Sequence, residues 1–293
     1  MSTPGPGAEI PDLWATDEAE LLEYVAGDGL SVRFTVERGT TGRMMPPVDI
    51  WEDVVPLTPG SRYRGSRHAA RTVVIPIISG GLRHGRPELR ALARALDPAR
   101  GMGRLRSVGF SSGGTGRELN CVYQAGLDAL KEEFPNFSRV ALQFRAPDPY
   151  WVDQTEQVRD FAPANVDTEW FPFFPLDLGG TNILGNFSIT NGGDAEAWPT
   201  IDVGGPGENF IFQNLTTGQR MAISGVVAAG AILRIVTLPG ARAVSYGGAN
   251  WFSHPSRDSV LWGLAPGLNL LRVTYETTTA RIQLRWRLRY LTP

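Results

Sequence analysis

One pentapeptide of this sequence matches a motif that carries chemistry in hydrolases. Gly109-Phe110-Ser111-Ser112-Gly113 fits the G-x-S-x-G pattern of a nucleophile elbow, where a strand, a sharp turn and a helix expose the serine. A hydrolase built on Ser111 would place it beside an aspartate and His254, the one histidine that follows it. The residues after the pentapeptide are Gly114-Thr115-Gly116 and then a strand pattern, so the sequence predicts the tip of a β-hairpin.

The residue types that bind metals or act as nucleophiles are few and scattered. The three histidines, His68, His84 and His254, have no metal-ligand spacing, and no cysteine pair accompanies them. The lone cysteine, Cys121, lies in an apolar context, which predicts a small core residue.

Two further patterns fall short of a site. Asp194 and Glu196 follow a glycine pair in a turn, and a glycosidase pair is the alternative to ordinary turn carboxylates. The glycine run Gly113–Gly116 lacks the Gly-Lys-Ser/Thr ending of a phosphate-binding loop, and Gly101-Met102-Gly103 lacks the third glycine of a dinucleotide fold. The sequence therefore predicts no catalytic residue, no cofactor-binding residue and no metal ligand.

Three tryptophans near turns leave two interpretations open. Trp198, Trp251 and Trp262 lie in the second half of the chain. Exposed aromatic rings are the stacking platforms of sugar-binding sandwiches, whereas buried rings fill the core or cover the ends of a sandwich.

Composition indicates an ordinary globular chain long enough for two domains. It has 293 residues, 42% hydrophobic and 20% charged, with a formal net charge of −2, so nothing draws it as a whole to nucleic acid or anionic membrane. No apolar run approaches the roughly 20 residues needed to span a bilayer, and the first eleven residues do not resemble a signal peptide. We expect the protein to be made and kept in a cytoplasm.

The elements that would position any site are mostly strands. In the first half we predict one helix over Pro87–Leu96, with Pro87 as its first residue and Asp97-Pro98 as its end, and two helical turns over Asp17–Tyr24. The apolar stripe of the long helix is predicted as Leu89, Leu92, Ala93 and Leu96. The predicted strands are 31–37, 71–78, 104–110, 117–123 and 138–145.

After a domain boundary near 160 the pattern is that of a β-sandwich. Eight strands are predicted, at 186–190, 200–203, 210–213, 220–223, 232–236, 243–246, 270–275 and 282–290. In the last of them the apolar residues from Ile282 to Tyr290 alternate with a row of Gln283, Arg285, Arg287 and Arg289. The first set should face the core, and the arginine row should face solvent or a partner.

Charge is unevenly distributed in the first half. Residues 1–61 hold three arginines and eleven acidic residues, and residues 62–106 hold eleven arginines and two acidic residues. Two interpretations stay open: pairing within the chain, or a head-to-tail contact between copies, which closes into a ring when the rotation permits. Arg83, Arg86 and Arg90 would be part of the contact between copies.

Several phrases, in their order along the chain, resemble the distal tail proteins of long-tailed, non-contractile phages, particularly those of actinobacteria. The resemblance covers about residues 30 to 293. The phrases are Pro59–Gly65, the helix end at Asp97-Pro98, Ala146–Trp151, Asn191–Pro199 with the later Gly205-Pro206, Thr216–Gln219 and Ala265–Asn269. We interpret each as turn chemistry on a β scaffold.

The resemblance implies a fold and a domain division. The chain would be mainly β, with an N-terminal split-barrel-like β domain carrying one helix and a C-terminal galectin-like β-sandwich. Residues 1–30 would be an N-terminal arm, 31–160 the ring-forming β domain and 161–293 the galectin-like domain.

The resemblance also implies a function in assembly rather than catalysis. Six copies would form the hub ring of a tail tip in the virion, assembled in the host cytoplasm, with a central channel for DNA. Its partners would be the major tail tube protein and a tail-associated baseplate or tail-fibre protein, with the tape measure protein as a further candidate. No sequence-specific nucleic acid binding, no membrane insertion and no enzymatic activity are expected. The alternative is a tail-tip adhesion module that binds saccharide on the host surface.

Overall fold

The computed structural model describes ten ranges of the chain, which are 21–36, 39–54, 56–57, 59–80, 85–108, 116–128, 132–133, 137–161, 182–276 and 280–293. The chain divides into two compact units. Unit 1 comprises Met1–Gln154 and Leu291–Pro293, and unit 2 comprises Thr155–Tyr290.

The described residues of unit 1 form ten strands, one α-helix and a short 3-10 helix at Pro98–Arg100. The helix α1 spans Gly85–Leu96. The strands are β1 Leu21–Val25, β2 Ser31–Val36, β3 Val48–Val54, β4 Ser61–His68, β5 Arg71–Gly80, β6 Gly103–Val108, β7 Arg117–Ala125, β8 Glu132–Glu133, β9 Phe137–Ala146 and β10 Trp151–Phe161. The division between the units falls within β10.

Six strands of unit 1 curl round a common core. Their antiparallel pairing runs β7–β6–β1–β2–β5–β9 and returns to β7. Two of the junctions are short, with two residue pairs between β2 and β5 and three between β9 and β7, so the strands do not form a closed barrel. Alternate residues of the long strands point inwards, as in Val73, Ile75 and Ile77 of β5.

Helix α1 packs on this core through one side. Leu92, Ala95 and Leu96 are buried, whereas Ala93, predicted in the apolar stripe, is exposed. The helix begins at Gly85, so the placement of Pro87 as its first residue is wrong. It ends at Leu96 as predicted, because the Asp97 side chain accepts the amide of Ala99 and starts the 3-10 turn.

Unit 2 contains the remaining nine strands and the rest of β10. They are β11 Asn182–Asn191, β12 Thr200–Gly204, β13 Gly207–Asn214, β14 Gln219–Val227, β15 Ile232–Val236, β16 Ala243–Tyr246, β17 Ala249–Asn250, β18 Gly267–Glu276 and β19 Arg281–Tyr290. One sheet has the order β17-β16-β15-β12-β19, with β10 beside β19, and the other has the order β11-β18-β13-β14. All eight predicted strands of this half are confirmed.

The two sheets of unit 2 enclose one hydrophobic core, which makes the unit a β-sandwich. One sheet contributes Ile201, Leu233 and Trp286, and the other contributes Phe212 and Val273 among others. The alternation of β19 is confirmed, since Ile282, Leu284 and Trp286 are buried. The prediction of a mainly β chain with one helix is therefore confirmed, while the galectin-like detail stays a prediction.

Three expectations from the sequence differ from the structure. Asp17–Tyr24 is not helical from Leu21 onwards, because Leu21–Val25 form β1 and pair with both β2 and β6. Arg62-Tyr63-Arg64-Gly65 is part of strand β4 rather than a turn. The polar stretch after Trp151, to which no element was assigned, is strand β10. Among the described residues, no helix has the length and apolarity to cross a membrane.

Candidate functional site

Strands β3 and β4 form a hairpin that lies outside the curled sheet of unit 1. They pair with each other from Val48 and His68 to Val54 and Ser61, and with no other described strand. The base is fixed by a hydrogen bond of 2.7 Å between the His68 ring and the Tyr150 hydroxyl. A two-stranded hairpin alone is marginal in water, so this one depends on further contacts.

One face of the hairpin carries charged side chains that pair with one another across its two strands. The Asp49 carboxylate accepts a hydrogen bond of 3.1 Å from the Arg67 guanidinium. That guanidinium lies 5.4 Å from the centre of the Trp51 ring. Asp53 pairs with Arg64, which lies at the irregularity between Trp51 and Glu52 in the strand register. These exposed pairs give the face its order but contribute little stability.

The other face of the hairpin is apolar and uncovered. Val48, Ile50, Val54 and Tyr63 lie on this face with exposed fractions of 43, 59, 76 and 64%, and Glu52, which accepts a hydrogen bond from the Ser61 hydroxyl, lies among them. No described residue covers this row, which we call the hairpin apolar face. Contiguous exposed apolar side chains on a soluble protein mark a contact surface.

Part of the uneven charge of the first half is balanced within the chain. Glu23 pairs with Arg33 and Arg106, at 3.3 and 3.5 Å, and Asp28 pairs with Arg100. The structure thus supports pairing within the chain for these residues. Arg90 is exposed on α1, Arg83 lies outside the described residues, and so does the side chain of Arg86.

The residues considered for chemistry do not assemble into a described site. Ser111 lies outside the described residues. His254 stacks on Trp251 with ring centres 3.9 Å apart, and His84 lies outside the described residues. No group of three or more histidine, cysteine or acidic residues in the described ranges is placed to hold a metal ion.

Cys121 occupies the core of unit 1, as expected. It is fully buried, and burial raises the pKa of its thiol to about 12. A thiol in that state carries almost no thiolate at neutral pH, and the thiolate is the reactive form.

Asp194 and Glu196 form hydrogen bonds that hold their own turn against β19 and the loop before β18. The amide of Asp194 donates to the carbonyl of Arg289 at 2.8 Å, and Arg289 donates to the carbonyl of Glu196 at 2.9 Å. The Glu196 carboxyl accepts the amide of Gly263, and burial raises its pKa against the opposing effect of Arg289. Two members of the arginine row of β19 are therefore engaged inside unit 2, as Arg285 also pairs with Asp202 at 2.6 Å.

Two of the three candidate tryptophans have structural contacts of their own. Trp262 is buried and donates its indole N–H to the carbonyl of Phe212 at 3.3 Å. Trp251 stacks on Tyr246 as well as on His254, with ring centres 4.7 Å apart in the first pair. Trp198 is half-buried.

Three buried asparagines explain why the recognisable phrases of unit 2 occur together. Asn191 donates to the carbonyls of Ala195 and Leu264, both at 2.9 Å. Its side-chain oxygen accepts the amide of Gly193 at 3.0 Å. The side chain thus ties the Asn191–Ala195 turn to the loop that precedes β18.

Asn214 and Asn269 tie two other phrases to that same loop. Asn269 donates to the carbonyls of Ala265 and Gly267, at 2.7 and 3.1 Å, and accepts the amide of Ala265. Asn214 donates to Asn269 at 3.2 Å, and its oxygen accepts the amide of Thr216. Because buried polar groups need partners, each asparagine is fixed by the turn that it organises. Sequence reasoning missed these roles, since the partner carbonyls lie up to 73 residues away.

Comparison with known proteins finds similarity to phage tail components. Residues 192–290 match the model of the family described as siphovirus-type tail component, C-terminal domain. A search of the curated proteins found no match.

Solved structures extend the similarity beyond that domain. The Dit (gp 19.1) protein of SPP1, described as a hub of the adsorption apparatus in phages that infect Gram-positive hosts, superposes with a TM-score of 0.65. The two are 15% identical, over 91% of this chain and 99% of that one, so they share a fold. A chain of the phage p2 baseplate in its activated conformation with Sr has a TM-score of 0.45 at 6% identity, over 89% of this chain and 98% of that one.

The predicted resemblance to the distal tail protein family is confirmed by these findings. The family model indicates a siphovirus-type tail component over residues 192–290, and the SPP1 Dit structure shows a shared fold.

Proposed function

We propose that this chain, whose C-terminal unit is that of a siphovirus-type tail component, forms the hub ring of a long non-contractile phage tail tip. Six copies surround a channel through which DNA leaves. The ring joins the tail tube to baseplate or tail-fibre proteins, and the protein is structural rather than enzymatic. It is assembled in the host cytoplasm and resides in the virion.

The observation that supports the ring is the hairpin apolar face. The described residues cover neither face of the hairpin, but the charged side pairs within the hairpin, through Asp49–Arg67 and Asp53–Arg64, whereas the apolar side chains have no such partners. Fully burying an aliphatic or aromatic side chain contributes about 1.5–3 kcal/mol, and each of these four side chains would gain a part of that.

A second copy of this chain is the occupant that we assign to the hairpin apolar face. If the hairpin of one copy lies on a different surface of the next, the contact is heterologous, and such contacts close into rings. The hairpin belongs to unit 1, which corresponds to the domain that forms the ring in the family resemblance.

The test is the mass of the full chain in solution after a single substitution on this face. Ile50→Arg should shift the protein from ring to monomer, because a charge replaces a side chain that is buried between copies. Leu268→Arg is the matched control, since Leu268 is 64% exposed, like Ile50 at 59%, but lies on β18 of unit 2.

Light scattering at high and low salt separates the outcomes. Loss of the ring in Ile50→Arg alone, with unchanged thermal stability in both variants, supports the proposal. If both variants keep the wild-type mass at every concentration, the hairpin apolar face is not the contact between subunits.

A further inference from the structure

One asparagine of the sequence is followed by a glycine, and this pairing favours a reaction of the asparagine with its own main chain. Of the ten asparagines, Asn191 alone precedes a glycine, Gly192, whereas the others precede cysteine, valine, isoleucine, leucine, phenylalanine or tryptophan. In this reaction the main-chain nitrogen of the next residue attacks the side-chain carbonyl carbon. A glycine leaves that nitrogen accessible and its backbone free to turn, so Asn191 is the most reactive asparagine of the unfolded chain.

The folded protein holds every polar atom of the Asn191 side chain. The residue is 1% exposed, its Nδ2 donates to the carbonyls of Ala195 and Leu264, and its Oδ1 accepts the amide of Gly193. Attack by the main-chain nitrogen would make the planar amide tetrahedral and expel Nδ2, so both of the bonds that Nδ2 donates must break first. The reaction therefore requires the turn after β11 to open.

The fold does not require a glycine at position 192. The φ of Gly192 is not in the left-handed region, and a Cβ there would meet only Cδ1 of Leu288, at an ordinary contact distance of 3.9 Å. Position 193 differs, because a Cβ on Gly193 would lie 2.5 Å from the carbonyl oxygen of Arg289. A single substitution, Gly192→Ala, therefore removes the reactive pair and leaves the fold intact.

We propose that Asn191-Gly192 is a self-modification site, which the fold keeps inactive and which reacts when the turn opens. The nitrogen of Gly192 bonds to Cγ of Asn191, the bond from Cγ to Nδ2 breaks, and the side-chain nitrogen leaves as ammonia with the proton of the glycine amide. The product is a five-membered succinimide. Water, the one co-reactant, then adds to either of its carbonyls and gives aspartate or isoaspartate at position 191.

Either product prevents the turn from closing again. Aspartate would place a carboxylate oxygen against the carbonyls of Ala195 and Leu264, where asparagine donates, so that buried acceptors would face one another without a proton between them. Isoaspartate also adds a carbon to the main chain at the end of β11, where residue 191 pairs with Gly267. An opening that is otherwise reversible becomes permanent, and the chemistry of one residue limits the lifetime of an opened unit 2.

Incubation of the full chain at mildly alkaline pH, followed by peptide mapping with mass spectrometry, tests the proposal. In guanidinium chloride, aspartate and isoaspartate should accumulate at position 191 faster than at any other asparagine. In native buffer the same modification should be slower by at least about a hundredfold, because three hydrogen bonds of a buried side chain must open together.

Two variants separate the chemistry from the fold. Gly192→Ala should slow the modification several-fold in guanidinium chloride, because a Cβ crowds the attacking nitrogen. Its native thermal stability should equal that of the wild type, since that Cβ has room. Asn191→Asp reproduces one product and should unfold at a lower temperature than the wild type. The ring is not involved, since one chain contains every group that reacts.

Three results would each overturn the proposal. Equal modification in native buffer and in guanidinium chloride would show that the fold does not protect Asn191. Equal rates for the wild type and Gly192→Ala in guanidinium chloride would show that the glycine does not make the site reactive. Wild-type stability in Asn191→Asp would show that the turn accepts the product.

Discussion

The guanidinium of Arg71 donates a hydrogen bond of 2.9 Å to the carbonyl of Leu291, a residue 220 positions later in the chain. Arg71 is completely buried and also donates to the carbonyls of Gly42, Arg43 and Met44, at 3.3, 2.7 and 3.0 Å. Burial lowers the pKa of Arg71 to about 10, so the side chain stays cationic at neutral pH. One charged side chain therefore holds two distant segments of unit 1 together.

Removing this charge should destabilise unit 1 severely. Arg71→Met removes the buried donor that four carbonyls share and should lower the free energy of unfolding by about 3–5 kcal/mol, measured by urea denaturation. Arg62→Met is the control, because Arg62 is exposed on the hairpin and should change stability by less than about 0.5 kcal/mol. Equal effects of the two substitutions would contradict the role of Arg71.

The asparagine network of unit 2 should be nearly as sensitive. Asn269→Ala removes the acceptor of Ala265 and of the buried Asn214 amide, and the donor to two carbonyls, so it should lower the free energy of unfolding by about 2–3 kcal/mol. Asn186→Ala, at an exposed position on β11, should cost less than about 0.5 kcal/mol. Thermal denaturation of both variants measures the difference. A loss in Asn269→Ala no greater than that in Asn186→Ala would show that the network is not needed for stability.

Cys121 should report the opening of unit 1. Its thiol is fully buried and its pKa is raised to about 12, so a thiol reagent at pH 8 should leave the native protein unmodified. In denaturant the same reagent should modify one thiol per chain. Rapid labelling of the native protein would mean that β7 opens readily around Cys121.

Glu196 should make a small contribution to the pH dependence of stability. Burial raises its pKa in the folded state, so the protonated form is favoured by folding. The contribution is fully present below the ordinary glutamate pKa of 4.5 and is lost as pH rises through the folded value. Glu196→Gln keeps an acceptor for Gly263 and removes the titration, so its stability should vary less with pH above 4.5. A pH profile identical to that of the wild type would refute this assignment.

A strand can be predicted from the sequence when one of its faces is buried and the other is exposed, because its apolar and polar residues then alternate. Strand β19 was predicted residue by residue because one face is buried and the other is polar, so that apolar residues and arginines alternate. The β3–β4 hairpin was missed because neither face is covered by described residues. The alternation of its apolar residues Val48, Ile50 and Val54 with charged residues is interrupted by Trp51, which lies on the charged face, and by an irregularity in the strand register.

The sequence phrases that carry the family resemblance could be recognised, but the contacts that make these residues necessary could not be predicted. Asn191, Asn214 and Asn269 are buried in a network centred on the loop before β18. Local sequence does not reveal that a turn asparagine is buried or which distant carbonyl it binds. The same reason applies to Arg71, whose partners lie near residue 43 and at Leu291.

The most direct test of the hub proposal is imaging of the concentrated full chain by negative stain, paired with its mass by light scattering. The proposal predicts rings of six copies around a central hole, with a mass six times that of the 31.9 kDa chain. Because assembly depends on concentration, the measurement covers a wide range of protein concentration and both low and high salt. A protein that stays monomeric throughout, and forms no ring when mixed with tail tubes, would contradict the proposal.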